Sequence, residues 1–332
     1  MLSGAVRCPG RVIELQLPTH PPPMTVPMRR RAAARAVAQT PAMPTPGETH
    51  AHSPALEAMA AHAAEHAHDM PVLAPPSPWL MLLEARAPWE YAATFAAWPW
   101  LRQLPKGDGH PVIVYPGLGA SDITTLPLRN FLEDRGYRPH AWKQGFNRGP
   151  RAGVLEQCRQ QIAQVVAQHR RPVSLVGWSL GGVYARELAK EQPEHVRCVI
   201  TLGTPFTGHP RATNAWRVYE WASGQDVDHD PALLAQLRVP PPVPTTSIYS
   251  RTDGVVAWQC SLNEGQPRTE NIEVHASHIG LGLNPLALYA VADRLYQDPA
   301  TWTPFDLSGA RRWFYKITHH APLPASLGGG AA

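Results

Sequence analysis

Between residues 110 and 297, short apolar runs alternate with longer segments whose apolar residues recur at helical spacing. No other feature of the chain restricts its fold as much. The run "PVIVY" at 111–115 has no polar break, as expected of a strand buried on both faces. "LPLRNFLEDRGY" (126–137) reads as a helix ending at Gly136, and "RPHAWKQ" (138–144) as a strand. Residues 152–170 carry a helical stripe of Val154, Leu155, Cys158, Ile162, Val165 and Val166. Strand, helix and strand follow in "PVSLVGW" (172–178), "LGGVYARELAKEQ" (180–192) and "RCVITLG" (197–203). "TTSIYS" (245–250) and "NIEVHA" (271–276) read as two more strands, and 285–297 as the last helix. Strands that alternate with helices imply a parallel sheet with right-handed crossovers.

The flanks differ. Of the 37 prolines, 14 fall in the first 80 residues, so residues 1–76 are expected to be a disordered, low-complexity segment. His62 and His66 stand one helical turn apart there, a spacing open to a metal, but their neighbours are alanines and a solvated tail is the plainer reading. Residues 77–104 read as a helical segment, cut by Pro88 and Pro99, that packs an apolar face on the core. Docking at a lipid surface is the alternative for it. Glu84, Arg86 and Glu90 exclude a bilayer span there. The main domain is expected over 105–300, with an aromatic-rich, lid-like insertion at 209–244 and an extension at 301–332.

A net charge of +4 over 332 residues, with much of the excess at Arg29–Arg31 and Arg35, argues against a nucleic-acid partner. No transmembrane segment is expected, since no run of about 18 apolar residues occurs. Contact with a membrane surface stays open. The four cysteines show no close pairing and read as free thiols. The expected compartment is the cytoplasm, with an exported precursor as the alternative suggested by "MRRRAAARAVAQTPAM".

Gly177-Trp178-Ser179-Leu180-Gly181 falls on a strand-to-helix joint and matches G-x-S-x-G. Glycines on both sides permit a sharp turn that lifts the serine hydroxyl clear of the backbone, above the positive end of the next helix. A helix cap with packing glycines is the plain alternative. A serine hydroxyl needs a base to take its proton, and the base needs an acid to orient it. In a sheet of this type the chain order is nucleophile, acid, histidine. Asp253 follows the strand 245–250, and His278 follows the strand 271–276, so both belong to the sheet edge that carries Ser179. Asp226, Asp228 and Asp230 are rivals for the acid and His275 for the base. Two backbone N–H groups are needed for the oxyanion. Leu180 supplies one, and Leu118, in the turn after the first strand, supplies the other, with Gly117 as second choice.

These pieces ("PGLGASD", "GWSLGG", "TLGTPFTG", "YSRTDGVV" and "SHIGL", within 110–297) resemble the α/β-hydrolase superfamily, in pattern its bacterial lipases and esterases. The resemblance implies an α/β-hydrolase fold, a mostly parallel sheet flanked by helices with a small lid-like insertion. It also implies Ser179 as nucleophile, Asp253 as orienting acid and His278 as base. Trp178 and Pro116 stand where many relatives carry histidine, which blurs the substrate but removes no reacting group. The expected activity is hydrolysis of small-molecule or lipid carboxylic esters with apolar acyl chains. A thioesterase or amidase on the same residues, or a binding protein that keeps the fold, is the alternative. No metal or organic cofactor is implied.

Overall fold

A computed structural model describes residues 73–208, 210–216 and 231–319. The expected low-complexity segment lies outside the described residues up to residue 72, as do Cys8, His62, His66, Asp226, Asp228, Asp230 and much of the insertion 209–244. Among the described residues no helix is long and apolar enough to cross a membrane.

The alternation builds a seven-stranded sheet. In chain order its strands are β1 (Pro111–Tyr115), β2 (Arg138–Ala141), β3 (Val173–Trp178), β4 (Val196–Leu202), β5 (Thr245–Tyr249), β6 (Thr269–Glu273) and β7 (Lys316–Ile317). Their spatial order is β2-β1-β3-β4-β5-β6-β7. Every neighbouring pair is parallel except β6–β7, which is antiparallel. Seven helices are described: α1 (Pro78–Leu83), α2 (Ala87–Leu101), α3 (Asp122–Asp134), α4 (Val154–His169), α5 (Leu180–Glu191), α6 (Pro231–Arg238) and α7 (Pro285–Tyr296).

Period-two alternation within β1 shows why its run is apolar throughout. Val112 and Val114 enter one core with residues of α2, α3 and α7, whereas Ile113 and Tyr115 enter a second core with residues of α4 and α5. Both faces of the sheet are therefore covered. Burial of each large aliphatic side chain contributes about 1.5–3 kcal/mol, and truncating Ile113 to alanine would cost about 2–5 kcal/mol.

Three elements depart from the sequence reading. Helix α3 begins at Asp122, before the expected 126, because Ser121 caps it in a reciprocal box with Thr124. Pro127 thus lies inside the helix. Pro99 also lies inside a helix, in the last turn of α2, without ending it. The extension after 300 adds the edge strand β7, whose two residues are too short to show a period. Cys158, Cys198 and Cys260 are buried free thiols.

Candidate active site

The backbone at Ser179 has φ 52° and ψ −123°, a positive φ on a residue with a side chain. Such a conformation costs about 1–3 kcal/mol and persists only where its surroundings impose it. Those surroundings are tight. A Cβ at Gly177 would sit 2.3 Å from the Gly182 Cα, and one at Gly181 would sit 2.3 Å from the Tyr115 carbonyl oxygen. Only glycine lets β3, β1 and the start of α5 converge this closely. The Ser179 N–H donates to the Leu202 carbonyl at 2.8 Å, and its own carbonyl accepts from Gly182 N–H at 2.9 Å. The side chain is left half-buried at the C-terminal end of β3. Leu180 is the first residue of α5, so its N–H is one of the four that a helix leaves unpaired, at the positive end of the dipole.

The turn after β1 packs on this serine. A Cβ at Gly117 would approach the Ser179 Cβ to 3.2 Å and its Oγ to 3.8 Å. Gly119 N–H donates to the Asn147 carbonyl at 2.7 Å, and Ala120 N–H to the Gly117 carbonyl at 3.1 Å. The amides that follow Leu118 are thus engaged, Ala120 within the loop and Gly119 with Asn147 beyond β2. Asn147, a residue the sequence reading passed over, braces the loop. Its Nδ2 donates to the Pro116 carbonyl at 2.8 Å, and its Oδ1 accepts from Gly149 N–H and the Tyr184 hydroxyl, each at 3.1 Å. It is fully buried. Asn147 lies in the irregular stretch "GFNRGP", where no periodicity points to it.

Asp253 and His278 meet. His278 Nδ1 lies 2.6 Å from Asp253 Oδ2, and Asp253 Oδ1 accepts from the N–H groups of Val255 (2.8 Å) and Val256 (2.7 Å). The carboxylate is held from both sides, which fixes the imidazole with Nδ1–H toward the acid and Nε2 free for another partner. Burial pushes the His278 pKa down. The charge of Asp253, its hydrogen bond and the charge of Glu84 push it up, and the net shift is upward. The indole Nε1 of Trp178, the residue before Ser179, donates to the His278 carbonyl at 3.0 Å. The two rings lie 6.3 Å apart between centroids. Gly203, just past β4, lies beneath the pair, since a Cβ there would be 3.1 Å from both Asp253 Oδ2 and His278 Nδ1. The rival His275 is exposed.

No family model matches the chain. The chain is similar to curated proteins named pimeloyl-[acyl-carrier protein] methyl ester esterase. It is 29% identical over 115 residues to that of Aliivibrio salmonicida, covering 34% of this chain and 42% of the relative. It is 32% identical over 100 residues to that of Aeromonas hydrophila, covering 30% and 39%. The chain thus spans less than half the length of these relatives. A solved monoacylglycerol lipase of Paleococcus ferrophilus aligns at 14% identity and a TM-score of 0.44, over 58% of this chain and 96% of its own. In the order and direction of its strands and its helices on both faces the chain has an α/β-hydrolase fold, and over about a third of its length its sequence is similar to these esterases.

Proposed function

We propose that the chain hydrolyses carboxylic esters with apolar acyl groups through an acyl-enzyme formed on Ser179. The observation that carries this reading is the Asp253–His278 pair at 2.6 Å, on the sheet edge where Ser179 is held in a strained turn at a helix N-terminus. His278 takes the hydroxyl proton as Ser179 attacks the ester carbonyl. The Leu118 and Leu180 N–H groups receive the charge that develops on the carbonyl oxygen. His278, now an imidazolium held against Asp253, passes the proton to the leaving alcohol. Water, deprotonated by the same imidazole, then releases the acid. Trp178 and Leu180 flank Ser179 in the chain and Leu118 follows Gly117, which packs on it; all three are half-buried and apolar, which supports an apolar acyl group. The sequence relatives are named as methyl ester esterases, the same bond class.

The test is turnover of p-nitrophenyl esters of rising acyl length by the wild type and by Ser179→Ala. Turnover in the wild type and its loss by at least about 10⁴-fold in the variant are expected. Undiminished hydrolysis in Ser179→Ala refutes the proposal.

A further inference from the structure

The two loops that carry Asp253 and His278 share a partner on neither strand. Glu84 lies in the single turn Glu84–Arg86 between α1 and α2, far away in sequence. Its Oε1 accepts from Gly254 N–H at 2.8 Å and from His278 N–H at 2.9 Å, and its Oε2 accepts from Ile279 N–H at 2.9 Å. One carboxylate therefore ties the residue after the acid to the backbone of the base. Glu84 is 6% exposed. A buried carboxylate is costly unless it is hydrogen-bonded, and here three amides do so while no cation is paired with it among the described residues. The seat is close-fitting. A Cβ at Gly254 would sit 2.2 Å from the Leu80 carbonyl oxygen, so the loop tolerates α1 only because residue 254 is glycine. Arg86 donates to the Thr252 carbonyl at 2.9 Å and hydroxyl at 2.8 Å, which fastens the same turn to the acid's side.

We propose that Glu84 is a positioning residue for the ester hydrolysis, one that fixes the Asp253 and His278 loops and lends its negative charge to the imidazolium. This rests on the reading of Ser179, Asp253 and His278 as the reacting set. Two charged groups bond His278 itself, Asp253 from the β5 side and Glu84 from the N-terminal segment; nearby, Glu90 accepts from the adjacent Ser277 and Arg86 binds Thr252, beside Asp253. Arg86 is paired with Glu90, whose carboxylate accepts from Ser277 N–H at 2.7 Å and from the Asn284 side chain at 3.1 Å. Of the segment's two carboxylates, only Glu84 bonds the His278 amide, and its charge is among the causes of the upward shift of the imidazole.

The test compares Glu84→Gln with Glu90→Gln by pH profiles of kcat and KM on a soluble p-nitrophenyl ester. Titration of the His278 ring by NMR accompanies them. Glu84→Gln is expected to lower kcat about 10- to 100-fold with KM within about twofold. Its kcat/KM acid limb and the His278 titration both move to lower pH, because the imidazolium has lost a stabilising charge. Glu90→Gln leaves both in place. If Glu84→Gln leaves the acid limb unmoved and kcat within about twofold, or only lowers Tm as Glu90→Gln does, Glu84 is a brace alone and the proposal fails. If the wild type turns over no ester, the hydrolase reading fails. The NMR titration then still decides whether Glu84 acts on His278. Should Glu84→Gln not fold, Glu84→Asp carries the test: it keeps the charge but shortens its reach, and an unchanged kcat overturns the proposal.

Discussion

The chain holds two serine–histidine–aspartate sets, at opposite ends of β3. At its C-terminal end is the proposed reacting set Ser179, His278 and Asp253. At its N-terminal end His110 Nδ1 lies 2.5 Å from Asp108, and His110 Nε2 lies 2.9 Å from Ser174 Oγ. By distances the second set is the more complete: both of its links are hydrogen bonds, whereas in the first Asp253 bonds His278 but, among the described residues, no hydrogen bond joins His278 to the Ser179 hydroxyl. It differs in everything else. Ser174 sits within a regular strand, not in a strained turn at a helix start, and both Ser174 and His110 are 0% exposed. The Cys198 thiol donates to Ser174 at 3.3 Å, so the hydroxyl's proton is directed to His110. Burial pushes the His110 pKa down to about 4 against the pull of Asp108, so at pH 7 a neutral imidazole donates to the Asp108 carboxylate and the contact is not an ion pair. His278 shifts the other way, up. The comparison teaches that an acid, an imidazole and a hydroxyl in line make a structural tie when sealed in a core. They become reactive only with access, oxyanion donors and an environment that favours the imidazolium.

The largest contrast lies between the two acids. Asp253→Asn is expected to lower kcat by about 10³–10⁴-fold, because the amide no longer holds the required tautomer. Asp108→Asn should leave kcat within about twofold, and a comparable loss in both would erase the distinction. Next comes stability. His110→Gln should cost about 1–3 kcal/mol in urea unfolding at pH 7.5, since buried Ser174 loses its partner, while turnover in the folded protein stays near wild type.

The last contrast is the pH dependence of stability. Folded His110 stays neutral down to about pH 4, whereas the unfolded residue takes a proton near 6.5. Between those values the unfolded chain binds more protons, so acid favours unfolding by up to about 1.4 kcal/mol per pH unit, a slope His110→Gln should lose. His278 has the opposite sign. Its contribution is complete below the ordinary histidine value and is lost as pH rises through its raised folded value.

Six strands and most helices were legible, the central strands from unbroken apolar runs and the helices from their apolar stripes. The Ser179 turn was legible because close backbone approach forces glycine at 177 and 181. The rest depends on interactions that leave no period. The Ser121 cap was hidden behind Pro127, which looks like a helix start but lies six residues into one. Asn147 acts through one irregular loop. Glu84 drew notice only as a charge that breaks an apolar run. That was the available signal, since a carboxylate in such a run is buried only if something distant bonds it, but its partners lie about 170 to 195 residues away.

On the proposed mechanism Ser179, and not Ser174, carries an activated hydroxyl. Treatment of the folded protein with a fluorophosphonate, then fragment-ion localisation within the peptide that spans both serines, tests it directly. A stoichiometric adduct on Ser179 and none on Ser174 is expected. No adduct, or an adduct on Ser174, would contradict it.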